Sequence, residues 1–259
     1  MKLTSLLYPP YERRLVRQLD QASLPRHVAV ILDGNRRFAR ARGLTDPTEG
    51  HRAGGAKIDE FVGWCAELGI PYVTLWMLST DNLGRDEAEL SGLLSVITAT
   101  VDGLANGPAA ERRGVRVQLV GALDLLPTDV RDALKEASES TQHRSGITVA
   151  VAVGYGGRHE IADALRSLLL DEAARGRTLD EVAADIDVDR IAGHLYTTGL
   201  PDPDLIIRTS GEVRLSGFML WQSAHSEFYF CDPYWPDFRR VDFLRALRDY
   251  QRRARRFGR

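Results

Sequence analysis

Short runs of unbroken apolar residues alternate along this chain with segments whose apolar positions recur every three to four residues. The unbroken runs fall at 27–32, 72–78, 115–120, 147–153 and 205–207, with two more at 218–222 and 227–230 near the end. They predict five strands, plus a sixth from at least one of the last two runs. The periodic segments predict helices over 35–42, 53–68, 86–106, 128–141, 159–175 and 242–257. Shorter helices are predicted through Arg113, near 179–184 and near 188–197. Gly43 closes the first of these helices, Gly69 and Pro71 stop the second, and Thr128 after Pro127 offers an N-cap. Strands that are apolar throughout and separated by helices belong to a parallel sheet covered on both faces. The predicted fold class is α/β, a single domain with a central, mostly parallel six-stranded sheet flanked by helices. Residues 11–24 pattern as an amphipathic helix, so 1–26 reads as an N-terminal helical extension to a domain spanning 27–259.

Composition narrows the function classes. The 259 residues, 44% of them hydrophobic, are enough for one large core. A formal net charge of −2 gives no reason to expect a nucleic-acid partner. Cys65 and Cys231 are too few and too far apart for a disulfide framework or a metal knuckle, which suits a reduced, cytoplasmic setting. The first ten residues lack the apolar run and cleavage pattern of a signal peptide. No stretch is expected to approach the ~18 apolar residues of a membrane span. Contact with a membrane, should the substrate be lipid-like, is then at most peripheral.

In open α/β sheets, sites form beyond the carboxyl ends of the strands. Asp33-Gly34-Asn35-Arg36-Arg37 follows the first run, Ser79-Thr80-Asp81-Asn82 the second and Gly121 the third. Gly154-Tyr155-Gly156-Gly157-Arg158 follows the fourth, Arg208-Thr209-Ser210-Gly211-Glu212 the fifth, and Glu227 opens the last. They predict one rim of carboxylates, arginines and flexible turns, which suits a phosphorylated substrate. Asp33 has two readings: it caps the helix after Gly34, or it faces an anion at that arginine-flanked helix start and shares Mg²⁺ with phosphate oxygens. Arg208 directly follows an apolar strand, where an unpaired charge is costly, so a bound anion is the favoured reason for it. His51 is a capping or surface residue unless it faces the Asp33 rim, where it would shuttle a proton or hold a phosphate. The 86–106 helix, broken by Gly92 and Gly103, packs in the core or walls a hydrophobic tunnel. There is no Asp-Asp-x-x-Asp cluster and no P-loop, which argues against all-helical isoprenyl diphosphate synthases and P-loop enzymes. Asn35 stands where an aspartyl-phosphate enzyme of the haloacid dehalogenase type wants a second Asp.

Read in order, several motifs resemble those of the cis-prenyltransferases, the undecaprenyl diphosphate synthase-like family. They are Asp33-Gly34-Asn35-x-Arg37-Phe38, Gly50-His51-x-Ala53-Gly54, Ser79-Thr80-Asp81-Asn82-x-x-Arg85, Gly154-Tyr155-Gly156-Gly157-Arg158, Ile207-Arg208-Thr209-Ser210-Gly211-Glu212-x-Arg214-Leu215-Ser216, Ser226-Glu227 and Trp235-Pro236-x-Phe238. The resemblance implies Mg²⁺-dependent condensation of isopentenyl diphosphate with an allylic diphosphate, geranyl or farnesyl, forming a cis double bond. Under it Asp33 holds the metal and helps the allylic diphosphate leave, and Glu227 shares the metal role. Asn35, His51 and Ser79 act near the reacting carbons. Gly34, Arg36, Arg37, Phe38, Asp81, Asn82, Leu83 and Arg85 belong to the substrate-binding set. Arg208, Arg214 and Ser216 hold isopentenyl diphosphate. The family implies a homodimer in which Arg256 and Gly258 reach the other subunit's site.

Some positions depart from the family pattern. Arg36 stands for the usual Gly, Phe38 for Trp, Pro47 for an arginine, and Asp81-Asn82-Leu83 for Glu-Asn-Trp. Arg36, Arg40 or Arg42 would compensate for the missing arginine. The doubled Arg36-Arg37, Leu83 and the N-terminal extension resemble the short-chain Z,E-farnesyl diphosphate synthase branch, which implies a short product. The alternatives are a long-chain decaprenyl or undecaprenyl diphosphate synthase, a non-catalytic partner subunit of one, and a phosphohydrolase using Asp33.

Overall fold

The computed structural model describes residues 4–257, and the side chains of residues 8–253. Its six strands are β1 (His27–Ile31), β2 (Tyr72–Ser79), β3 (Arg116–Val120), β4 (Thr148–Tyr155), β5 (Leu205–Arg208) and β6 (Glu227–Phe230). They form one sheet in the order β3-β4-β2-β1-β5-β6. Every neighbouring pair is parallel, so the sheet is wholly rather than mostly so. The helices are α1 (Thr4–Gln18), α2 (Asn35–Ala41), α3 (Pro47–Glu67), α4 (Glu87–Asn106), α5 (Pro108–Arg113), α6 (Thr128–Ser140), α7 (Gly157–Ala174), α8 (Leu179–Asp185), α9 (Val188–Ala192) and α10 (Arg240–Phe257).

Burial of both sheet faces explains the unbroken apolar runs. Along β1, Val28 and Val30 join the larger core cluster, while Ala29 and Ile31 join a second cluster on the opposite face. Leu15 and Leu19 of the N-terminal segment are buried in the larger cluster, so the extension is part of the domain's packing.

Several boundaries differ from the sequence expectation, each for a local reason. α3 starts six residues early because the Asp46 side chain accepts a hydrogen bond from the Thr48 N–H (2.8 Å) and Pro47 takes the first helical position. His51 therefore lies inside the helix rather than before it. Thr128 does not cap α6; Pro127 occupies that place and no side chain caps the turn. Residues 218–222 form a turn leading into a 3-10 helix (Gln222–His225), which leaves β6 as the sixth strand. α9 stops at Ala192, and the chain to 197 is turn. α4 corrects the expectation about membrane spans, since by length and composition it could cross a bilayer. Here Leu93, Leu94, Ile97, Val101 and Leu104 are buried in the core instead.

Candidate active site

From β1 the chain steps outward to β2 and on to the edge strand β3, fills the gap between them with β4, then crosses to the other side of β1 as β5 and β6. That reversal opens a crevice between β1 and β5 at their carboxyl ends. A cavity of about 440 Å³ sits there. Asp33 reaches it from β1 and Arg208 from the end of β5. The Thr209 hydroxyl locks the Asp33 backbone, accepting from its N–H at 3.0 Å and donating to its carbonyl at 2.7 Å.

The carboxylate of Asp33 goes to arginines. Arg208 Nη2 donates to Oδ2 at 2.8 Å, and Arg37 Nη2 lies 3.2 Å from Oδ1. Gly34, at φ +105°, takes the N-cap position of α2, and no side chain caps that turn. The helix-cap reading of Asp33 therefore fails. Gly34 is required there twice over: a Cβ would meet the Tyr234 ring at 2.8 Å, and the φ is one that other residues rarely adopt. Burial raises the Asp33 pKa, but the Arg208 and Arg37 guanidinium groups outweigh it and hold the carboxyl below its ordinary value. Arg208 is itself 4% exposed; its Nη1 also donates to the Arg214 carbonyl (2.5 Å) and to Ser216 Oγ (2.8 Å), while its Nε has no partner.

α2 and α3 pack very closely. A Cβ on Gly50 would lie 2.2 Å from the Asn35 carbonyl, and one on Gly54 2.4 Å from Asn35 Oδ1. This approach brings Asn35 and His51 to the cavity, and both Asn35 Oδ1 and His51 Nε2 are buried without a partner. Burial, then the Arg85 charge, pushes the His51 pKa down to about 4. Because His51 titrates near 6.5 when unfolded, the unfolded chain binds the proton first as pH falls, and stability is lost between about pH 6.5 and 4. By pH 4.5 this amounts to about 2 to 3 kcal/mol. Urea midpoints at pH 7.5 and 4.5 check it: His51→Gln should lose less stability over that interval than the native chain.

At the mouth, Arg36 Nε (3.5 Å) and Arg85 Nη1 (3.0 Å) converge on Glu89 Oε1. Arg85 Nη2 donates to Asn82 Oδ1 at 3.0 Å, and Ser79 Oγ accepts from the Asn82 N–H at 3.2 Å. Arg37 also bonds Ser210 Oγ (2.6 Å) and Glu212 Oε1 (3.1 Å). The walls deeper in are apolar: Leu32, Trp76, Met77 and Leu93. The site therefore pairs a cationic mouth with an apolar interior.

The family model of undecaprenyl diphosphate synthase, a prenyltransferase family, matches residues 31–258. The chain belongs to this family. It is 62% identical to the (2Z,6E)-farnesyl diphosphate synthase of Thermobifida fusca over 252 residues, covering 97% of each chain. It is 56% identical to isoprenyl transferase 1 of Streptomyces avermitilis over 256 residues, covering 99% of this chain and 97% of that one. Among solved structures, lavandulyl diphosphate synthase from Lavandula x intermedia, in complex with dimethylallyl diphosphate, superposes with a TM-score of 0.80. That protein shares 34% identity, and the match covers 89% of this chain and 96% of that one.

In this prenyltransferase the structure brings together Asp33, Gly34, Asn35, Arg36, Arg37, His51, Ser79, Asp81, Asn82, Arg85, Arg208 and Ser216 as cavity lining. It leaves others out. Phe38 lies under the Arg42 guanidinium (4.9 Å) and does not line the cavity. Leu83 packs on the main core. The Arg214 side chain is 62% exposed and pairs with Glu212, so only its carbonyl reaches Arg208. Glu227 opens β6 opposite Leu205, three residues before Arg208, and pairs with Arg253 at 3.2 Å. At ~3.3 Å per residue it is roughly 16 Å along the sheet from Asp33, on the opposite rim. Gly121 and the 154–158 turn lie off the cavity as well. Gly258 and the Arg256 side chain lie outside the described residues. Sequence reasoning missed Trp76, Met77 and, as a lining residue, Arg40, whereas Leu93 lies on the 86–106 helix, one of whose two expected roles was to wall a tunnel. The strand and helix were legible, but the side each residue faces was not.

Proposed function

We propose that this prenyltransferase condenses isopentenyl diphosphate with an allylic diphosphate, geranyl or farnesyl, to a short cis-prenyl diphosphate such as (2Z,6E)-farnesyl diphosphate. The observation that carries this reading is the Asp33–Arg208 pair in a cavity that joins a cationic mouth to apolar walls and narrows at Met77 and Leu93 to a space of only about 20 Å³. The name of the Thermobifida relative supports it.

Arg36, Arg37, Arg40 and Arg85 present guanidinium groups to an incoming diphosphate, a match of planar donors to phosphate oxygens. Arg208 with Ser216 offers donors to the second diphosphate beside it. Mg²⁺ fits this chain's donor set. Among the described residues no group of three or more His, Cys, Asp or Glu forms a protein cage. Of the two carboxylates lining the cavity, Asp33 is the one held by Arg208 and Arg37, and one such carboxylate suits an ion otherwise held by substrate phosphates. When bound, Mg²⁺ would offset the charge that builds on the departing diphosphate. Neutral His51 Nε2, buried with no partner among the described residues, offers a base for the proton that the isopentenyl carbon gives up after the new bond forms, and Asn35 Oδ1 accepts a hydrogen bond at the site without taking the proton. Incubation with isopentenyl diphosphate and geranyl, farnesyl or dimethylallyl diphosphate, followed by product sizing, tests the reading. Elongation of any primer supports it. Diphosphate cleavage without elongation would favour a phosphohydrolase, and inactivity of the purified chain a partner subunit.

Product length follows from the floor. Met77 and Leu93 line both the main cavity and a space of only about 20 Å³ beyond it, past which a groove of about 500 Å³ runs between α3 and α4. Met77→Ala should let the chain pass this constriction and shift the product by one or more isoprene units. Chromatography of dephosphorylated products checks the shift.

A homodimer is part of the proposal. Leu165 and Leu169, four residues apart on α7, are 40% and 37% exposed, an apolar stripe that a second copy would cover. With Glu227 on the rim opposite Asp33, a metal role for it would have to act across such an interface. Sedimentation or mass measurement of the native chain tests the assembly. Free Cys65 and Cys231 suit the reducing cytoplasm as the place of action.

A further inference from the structure

Beneath the Arg208 pocket lies a buried polar cluster that the proposed chemistry does not use. Glu160, in the first turn of α7, is fully buried. Tyr155 Oη donates to its Oε2 at 2.5 Å, and Gln222 Nε2 lies 3.1 Å from both carboxyl oxygens. Gln222 Nε2 also reaches Thr197 Oγ1 at 2.7 Å. Among the described residues no cation pairs with Glu160. Burial raises its pKa, against the pull of the Tyr155 and Gln222 hydrogen bonds. A buried carboxyl without a cation is costly, so the cluster calls for an explanation beyond packing.

Several contacts tie it to the loop 211–222. Gln222 anchors the loop's far end. The Gly157 N–H donates to the Gly217 carbonyl at 2.8 Å, and a Cβ on Gly157 would lie 2.6 Å from that carbonyl, so the start of α7 is pressed against the loop. Phe218, in the loop's middle, stacks on Trp76 (5.0 Å, 11°) and meets the Tyr155 ring edge-on (5.9 Å, 79°). At the loop's near end, the Arg214 carbonyl and Ser216 Oγ are the two groups that hold Arg208. Ser216 and Met219 carry positive φ (51° and 47°), strained for residues other than glycine. Strained backbone persists only where its surroundings over-determine it, and here Gly217 is pinned by the Gly157 N–H, Phe218 by the Trp76 and Tyr155 rings, and Gln222 by Glu160.

We infer that Tyr155, Glu160 and Gln222 are positioning residues that set Ser216 and Arg208 for the second diphosphate, and so govern affinity for isopentenyl diphosphate selectively. The inference rests on the reading that Arg208 and Ser216 bind that substrate. The test measures KM for each substrate separately in the full-length enzyme. Tyr155→Phe keeps the ring contacts and removes only the hydroxyl; Gln222→Leu removes only the amide. Each should raise the isopentenyl diphosphate KM about tenfold, as expected for breaking one link of a buried network, and leave the allylic KM and kcat within about twofold. Glu160→Gln, whose amide oxygen still accepts from Tyr155, should restore most of the affinity lost in Glu160→Ala. Ser216→Ala separates the two ideas. If it leaves the isopentenyl diphosphate KM unchanged, the underlying assignment of that substrate fails. If it raises that KM while Tyr155→Phe and Gln222→Leu do not, or shift both KM values together, the positioning role is overturned. Should Glu160→Ala fail to fold, the Tyr155 and Gln222 variants decide the matter.

Discussion

Asp33→Ala is expected to lower kcat by about three to five orders of magnitude while leaving the fold intact. At ~1.36 kcal/mol per tenfold, that is a loss of roughly 4 to 7 kcal/mol of transition-state stabilisation. The size follows from the position. Asp33 is the cavity carboxylate held by both Arg208 and Arg37, and it is the group that fits a diphosphate-borne cation. Its backbone is fixed by Thr209 whatever its side chain, so the loop should survive the change. Single-turnover kinetics with saturating substrates, alongside circular dichroism, check both halves of the expectation. A variant within tenfold of the native rate would remove Asp33 from the chemistry.

Arg208→Ala should be nearly as damaging to turnover and more damaging to stability. A 4%-exposed guanidinium that bridges Asp33, the Arg214 carbonyl and Ser216 cannot be deleted without removing a partner from each, although Asp33 keeps Arg37. Breaking one partner of a buried ion pair costs about 3 to 5 kcal/mol. The exposed face of Asp33 and its second arginine should hold the cost at the low end here. On kcat/KM the expected loss is about a thousandfold. Because the two residues share one bond, the double variant Asp33→Ala/Arg208→Ala should lose clearly less activity than the product of the single losses. Steady-state kinetics of the four proteins measures that coupling, and full additivity would mean the pair does not act as a unit.

Much of this arrangement was legible in the chain alone. The unbroken apolar runs marked a sheet covered on both faces, and residues at the ends of β1, β2 and β5 gave the rim. Strand ends are legible because polarity changes abruptly there. What the pattern could not supply was facing and register. Phe38 and Leu83 belong to segments that do approach the cavity, yet each points to other neighbours. Glu227 abuts an apolar run, but it is the first residue of its strand, not one beyond its end, and in a parallel sheet that places it on the opposite rim. Met77 lies inside an apolar strand, and Leu93 on a helix whose pattern fits core and tunnel wall alike, since which of two buried faces lines a cavity is decided by tertiary packing. His51 lies inside its helix rather than at its start because Asp46-Pro47, a start signal that also reads as loop, opens the helix six residues early.

The hydrogen bond between Asp33 and Arg208 joins residues 175 positions apart. On a ribosome adding ~5–20 residues per second, Asp33 emerges roughly 10 to 35 seconds before its partner. In that interval β1 can pair with β2, but its other edge stays open until β5 arrives. The catalytic corner thus closes late in synthesis, with only β6 still to be added to the sheet. Truncated chains ending before residue 205 should therefore display an unpaired strand edge and draw on chaperones more heavily than the finished protein.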